Sequence, residues 1–495
     1  MMTLGHYLGQ SVTRYPEKEL FIQPSSGERL TFGEFGITLG KVHRLLEQHH
    51  VRRGDIVTLI AANSLDLAVM LYGIMTFGAI AKPLNPQVTP AELEKLLLHS
   101  GSTILFADRP VAVSGKALTQ LDIASYRQTA CSDSFASGFI HEDSPALLIY
   151  TSGTTSQPKG VLLSHRNIVH NVLTAIRFFD LDHQHTKICI LPLFHTFGFI
   201  SDLSAMALCG GTTVILDTFD VTKLSAIEAA IHNYPVNSFS AVPLMFDLFL
   251  RFGCNLAGSH MKFCISGAAP LRESTSEEFL KTYQFPIIPA YGLTETTCFA
   301  TISPPGKIRP RSAGIPAAVS VRVTRDDGED AATGEIGELL VSGESVMQQP
   351  YFKNDAECFH GAEKKLFKTG DLGYRDHDGY IYITGRKKNM VIRGGEKIYL
   401  EDVDACMSRM SSVADNASIR FEEDGEEKIA AFVVPREGAT LTGFEVKNFI
   451  ETHLGRLRTP DIVVFSASIP RTPTNKVKIR ELQSSLLQAT KPASA

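Results

Sequence analysis

The chain has 495 residues, 44% of them hydrophobic and 20% charged, and a formal net charge of −5. At roughly 150 residues per domain, that length exceeds one ordinary core and predicts a multidomain protein of about two to four units. The slightly acidic balance excludes an electrostatic nucleic-acid binder, and eight cysteines scattered without a C-x-x-C pair fit reduced thiols in a cytoplasm rather than a disulfide framework.

The opening MMTLGHYLGQSVTRYPEKE has no basic segment followed by an apolar one, so no secretory signal is expected. Helical spacing over 29–49 is followed by a short β run at 55–63. The most apolar run, 67–81, is fifteen residues long. That falls short of the roughly 20 a membrane span needs, and it predicts a buried core helix. A strand pattern at 103–109 follows, then strands at 146–150, 187–195, 212–217, 238–244 and 262–270, with helical spacing over 222–235. Strand and helix taking turns is the mark of parallel α/β architecture. The strands from 187 onward run into turns rich in Pro, Gly or Ser, and in open α/β sheets such strand ends are where ligands bind.

From about residue 300 to 385 the pattern becomes short strands punctuated by glycine, which predicts a small β unit. The last stretch, about a hundred residues, is the size of an independent α+β domain. The natural cut lies at GRKKN, 385–389, giving domains of 1–387 and 388–495. The closing TKPASA is expected to fray.

Three stretches carry candidate chemistry. Between a strand and a second strand with its helix lies 150-YTSGTTSQPKG-160. Glycine-freed backbone N–H groups, the hydroxyls of Thr151, Ser152, Thr154 and Thr155, and Lys159 can surround a polyphosphate, although the loop is not the G-x-x-x-x-G-K-[ST] of a nucleotide P-loop. A Ser/Thr-rich surface loop is the plain alternative. In 290-AYGLTET-296, Tyr291 offers a stacking plane, and Glu295 is an oxygen ligand of the kind magnesium takes. A strand end capped by polar residues would read the same. In 369-TGDLG-373 and 385-GR-386, Asp371 can accept two ribose hydroxyls and Arg386 can assist, whereas a lone Asp in a turn is commonly a turn residue.

With SGAAPL at 266–271 and GRKKNMVIRGGEKIY at 385–399, these blocks resemble, in order and over essentially the whole chain, the adenylate-forming superfamily of acyl-CoA synthetases, aryl-CoA ligases, luciferases and peptide-synthetase adenylation domains. The resemblance implies an α/β fold: a large N-terminal AMP- and acid-binding domain of two α/β subdomains plus a small β-barrel-like one, and a small mobile α+β C-terminal domain. It implies that Thr151, Ser152, Gly153, Thr154, Thr155 and Lys159 hold the pyrophosphate of ATP. Gly267, Ala268, Ala269 and Tyr291 would frame adenine, Ala290 and Gly292 would belong to the same cofactor site, Thr294 would contact the α-phosphate, Glu295 would bind Mg²⁺, and Asp371 and Arg386 would hold the ribose. The family's catalytic lysine follows a P-x-x-x-x-G-K pattern, and PRTPTNK puts Lys476 there, with Asn475 in place of glycine. Both residue types take positive φ readily, so the turn survives the exchange. Lys478 stands close by. Lys388 falls at the hinge position, and Gly394 and Gly395 at the loop lining the thiol tunnel.

The implied reaction is ATP-dependent formation of an acyl-adenylate from a small carboxylic acid, followed by transfer to a thiol. Amino-acid-activating relatives pair an aspartate with the substrate ammonium. Here 192-PLFHTFGFISDL-203 carries His195 at the site and only Asp202 nearby, as in acyl- and aryl-CoA ligases. By the same resemblance Phe197, Ile200, Ala241 and Phe299, with Gly292, line an apolar acid pocket suited to a fatty or aryl acid, since an unpaired buried charge is costly. Coenzyme A is the expected acceptor, and the phosphopantetheine of a carrier protein is the alternative. A non-catalytic binding protein is a third reading.

Overall fold

The structure, a computed structural model, describes residues 3–113, 118–131, 133–135, 138–151, 158–256, 260–353, 358–360, 366–393, 396–423, 426–472 and 477–489. The run at 67–81 begins as the helix Leu65–Phe77, opened by the Ser64 hydroxyl accepting from Leu67 N and closed by Gly78 at φ 97°. It is buried on every side from Leu67 to Thr76, as a helix with no polar face must be. No helix among the described residues is long and apolar enough to cross a membrane. The helix expected from 29 starts later, at Phe32, because Thr31 and Glu34 form a capping box and Glu28–Thr31 pairs as a strand with Glu19–Gln23.

Two sheets organise the larger part. Among the described residues the first runs in the order Thr119–Asp122, Ile104–Ala107, Ile56–Ile60, Ile80–Leu84, Pro145–Thr151, Lys159–Ser164. Its neighbours are parallel except the last pair, an antiparallel hairpin. The second runs Ile315–Pro316, Thr301–Ile302, Ile287–Tyr291, Phe263–Ser266, Ser238–Ala241, Thr186–Cys189, Thr212–Ile215, Glu19–Gln23, Glu28–Thr31. Its centre is parallel and its edges antiparallel. Four neighbouring parallel strands therefore end on one edge, where the loops after Cys189, Ala241, Ser266 and Tyr291 stand side by side.

By compactness the chain forms two units, residues 1–321 with 341–367, and residues 322–340 with 368–495. The sequence places its cut at 387/388. The compact boundary differs because the Thr369 hydroxyl donates to Leu339 O and Lys387 Nζ reaches Glu338 at 2.9 Å, ties that hold 322–340 and 368–387 within the second unit.

That second unit contains a sheet of Val413–Glu423, Glu426–Pro435 and Ile462–Phe465. Alternate residues of its middle strand serve opposite cores. Ile429, Ala431 and Val433 pack with Val403, Val446 and Ile450 of the helices Leu400–Met407 and Gly443–Leu454. Ala430 and Phe432 pack with Leu482 and Leu486 of Ile479–Ala489. This is the period-two alternation of a strand covered on both faces.

Candidate active site

The strands on either side of the stretch 150–160, Pro145–Thr151 and Lys159–Ser164, pair antiparallel. Thr151 stands opposite Lys159 in the register, and the Thr151 hydroxyl donates to Lys159 O at 3.4 Å. Ser152, Gly153, Thr154 and Thr155 lie outside the described residues, as do Gly394, Gly395, Asn475 and Lys476. Behind the hairpin, Tyr150 OH is 2.7 Å from His99 Nδ1, and beyond it Ser164 and Asn167 form the capping box of the helix His165–Phe178. Lys159 projects its ammonium over the Tyr351 ring, 5.0 Å from the centroid, while Tyr351 OH donates to Glu295 Oε1 at 2.7 Å. Lys159 and Glu295, far apart in the chain, are thus brought to one place by a residue that sequence reasoning passed over. Its only sequence signal is an aromatic pair after proline in QPYFK.

The SGAAP loop carries backbone strain. Ala268 has φ 69°, a left-handed conformation that a side chain disfavours and that clusters at functional sites. Beside it, a Cβ on Gly267 would stand 3.0 Å from the Phe197 ring, so the expected adenine loop abuts the expected acid pocket. A Cβ on Gly292 would fall 1.5 Å from Cys298 O; the residue is small because backbone approaches it. Ala290 and Tyr291 close the strand Ile287–Tyr291, and Thr294 is buried at the start of the turn Thr294–Thr296. Asn171 anchors the segment from Thr296 to Phe299. Its amide donates to Thr296 O at 3.2 Å and Phe299 O at 2.9 Å and accepts from Phe299 N at 3.1 Å.

On the acid side the chain from Phe197 to Ser204 is a π-helix, a rare form that favours functional sites. The wider turn has no period that sequence reading detects. His195 Nδ1 accepts from Phe197 N at 3.3 Å, which leaves the imidazole proton on Nε2. Phe197 and Phe299 meet edge to face with centroids 6.1 Å apart, and Ile200 and Ala241 are fully buried. Asp202 does not fit a substrate ammonium. Its carboxylate lies 3.0 Å from Lys187 Nζ and accepts from Ser240 Oγ at 2.5 Å, and the side chains of Lys187 and Asp202 are 1% and 0% exposed. Burial pushes the Asp202 carboxyl upward, against the pull of the Lys187 ammonium. The buried thiols of Cys189, Cys264 and Cys298 are likewise driven well above their usual range, which makes them packing groups rather than nucleophiles.

In the second unit, Asp371 and Arg386 are register partners, with Arg386 Nε 2.8 Å from Asp371 Oδ1. Asp371 N donates to the Thr369 hydroxyl at 3.0 Å. Lys388 sits exposed in the turn Lys387–Asn389, and Asn389 donates to Glu401 Oε1 at 3.2 Å. Nearby, burial and the Glu401 carboxyl push Asp404 up to about 7. A carboxyl that binds its proton more tightly in the folded state lends stability below the unfolded value of 3.8 and loses it as pH rises towards about 7. Unfolding of this unit should therefore become easier across that window by at most about 1.4 kcal/mol per pH unit. Asp404→Asn should flatten the dependence, as read from urea midpoints at pH 5 and pH 8.

Magnesium is held mainly by substrate phosphates plus one or two carboxylates, not by an all-protein cage. The residues fit that demand: the Glu295 carboxylate has a buried threonine beside it and Lys159 nearby for the phosphates.

Four parallel strand ends on one edge, with Lys159 and Glu295 meeting at Tyr351 beside them, fit the frame of an adenylate-forming, ATP-using enzyme. The chain belongs to the AMP-binding enzyme family: that family's model matches residues 8–351, and the model of its C-terminal domain matches 402–476. It is similar to the sulfoacetate–CoA ligase of Cupriavidus necator, 31% identical over 96% of each chain. It is 29% identical to the oxalate–CoA ligase of Arabidopsis thaliana, over 90% of this chain and 93% of that one. Among solved structures, the O-succinylbenzoate coenzyme A synthetase of Bacillus subtilis in complex with ATP and magnesium ion superposes with a TM-score of 0.86 at 26% identity, covering 96% of this chain and 99% of that one.

Proposed function

We propose that the protein joins a compact fatty or aryl acid to coenzyme A in the cytoplasm, through an acyl-adenylate formed with ATP and release of pyrophosphate. The convergence of Lys159 and Glu295 on Tyr351 carries this reading, because it sets a cation for the leaving pyrophosphate beside a carboxylate for magnesium. Bound magnesium would supply charge neutralisation at the phosphates. The chain's own residues do the rest. Thr151 to Lys159 grip the pyrophosphate, Gly267 to Ala269 and Ala290 to Gly292 frame adenine, Thr294 orients the α-phosphate, and Asp371 with Arg386 takes the ribose. Lys476 bridges carboxylate and α-phosphate as the acid oxygen attacks phosphorus, neutralising charge where it develops. His195, its imidazole proton on Nε2, orients the acid on the path by which the thiol arrives. Residues 388–495 then reorient about Lys388, withdrawing Lys476 and bringing Gly394 and Gly395 to the thiol tunnel.

The acid follows from its walls. Phe197, Phe299, Ile200 and Ala241 are apolar, and Lys187, the cation buried against this helix, is already matched by Asp202. An unpaired buried charge is costly among such apolar walls, so an uncharged tail is favoured over the doubly anionic acids for which two of the relatives are named.

Pyrophosphate release measured over a panel of medium-chain, aromatic, sulfonated and dicarboxylic acids, with and without coenzyme A, tests the reading. Release that depends on an uncharged acid and turns over only with coenzyme A is expected. Preference for a doubly charged acid would overturn the substrate class, turnover only with a carrier protein would overturn the acceptor, and no acid-dependent release would leave a binding protein.

A further inference from the structure

We propose that Tyr351 is a positioning residue that couples the pyrophosphate-side cation to the metal-side carboxylate; this rests on the roles read above for Lys159 and Glu295. Its hydroxyl donates to Glu295 Oε1 at 2.7 Å, a charge-assisted bond that restrains that carboxylate. Its ring face lies 5.0 Å from Lys159 Nζ, near enough for the quadrupole to attract the ammonium. One rigid side chain therefore sets the spacing between two groups of opposite charge.

The backbone around Tyr351 is stitched to both sides. Upstream, Met347 N donates to Glu295 O at 2.8 Å, and the Thr297 hydroxyl donates to Ser345 O at 2.7 Å. Downstream, Phe352 N donates to Gly160 O at 2.7 Å, and Lys353 Nζ donates to His99 O at 3.0 Å, the histidine whose ring meets Tyr150 OH. Residues 345–353 thus run as a strap from the Glu295 turn to the stem of the phosphate hairpin. Tyr351 is the point where the strap touches both charged side chains.

The test separates ring from hydroxyl. Tyr351→Phe keeps the face beneath Lys159 and loses the bond to Glu295; Tyr351→Leu loses both. ATP binding is followed by calorimetry across a magnesium series, without acid, so that no turnover is needed. For Tyr351→Phe the magnesium concentration giving half-maximal ATP binding should rise roughly tenfold, the size of one charge-assisted hydrogen bond, with ATP affinity restored at saturating magnesium. Tyr351→Leu should weaken ATP binding at every magnesium concentration. Glu295→Gln is the control. If it shifts the magnesium dependence and Tyr351→Phe does not, the coupling role is wrong while the site reading stands. If neither shifts it, the assignment of Glu295 itself fails. A lowered melting temperature in Tyr351→Phe without a magnesium shift would also overturn the proposal.

Discussion

Replacing Lys187 by methionine is expected to destabilise the larger unit by about 3–5 kcal/mol, the cost of leaving a buried charge without its partner. Asp202 is fully buried, and only Lys187, Ser240 and Ser201 offset its desolvation. Without the ammonium it must take up a proton or draw water into the core. Asp202→Leu should cost a similar amount for the mirror-image reason, since Lys187 Nζ would keep only Ser201 O at 2.8 Å and Ser201 Oγ at 3.2 Å. The double variant Lys187→Met with Asp202→Leu should recover most of the loss, because apolar pairs of similar volume often replace buried ion pairs without penalty. Urea unfolding followed by far-ultraviolet circular dichroism decides it. A single variant as stable as the parent would show that water already solvates the pair.

Lys476→Ala is expected to lower acid-dependent pyrophosphate release by about 100- to 1,000-fold, the usual effect of removing one group aimed at developing charge. Transfer from a pre-formed acyl-adenylate should survive, since the lysine is needed only for the first step. Lys478→Ala should leave both steps near the parent. Lys478 already pairs with Glu481 at 2.8 Å at the start of the helix Ile479–Ala489, and its N–H donates to Pro470 O. Single-turnover assays of the two half-reactions give the answer, and a large loss in Lys478→Ala with little in Lys476→Ala would exchange the two assignments.

Much of the α/β body could be read from the chain because its signals are local. The apolar run at 67–81 and the strand patterns at 55–63, 103–109 and 262–270 depend on near neighbours, and the structure has its helix and strands there. What stayed hidden depends on distant ones. Lys187 reads as a polar residue at the start of a strand, and nothing in KICILP reveals that it is buried against Asp202. The π-helix of FGFISDLS keeps ordinary helical composition, so its extra residue per turn leaves no trace in the pattern. Motif order paired Asp371 with Arg386, and their contact closes across a short turn. It could not name Tyr351, which belongs to no loop with an evident task and matters only once folding lays it between Lys159 and Glu295.

The Lys187–Asp202 pair also bears on how such an enzyme can diversify. Phe197 and Ile200 share a π-helix with Asp202, so lineages drifting towards new acids would be expected to alter this helix. Each one-step path through either charged position passes an intermediate that loses several kcal/mol, a large share of the roughly 5–15 kcal/mol a native protein has in reserve. The two positions are therefore bound to change together or remain as they are, and diversification of the acid is channelled to neighbours such as Phe197 and Phe299, whose exchange strands no charge.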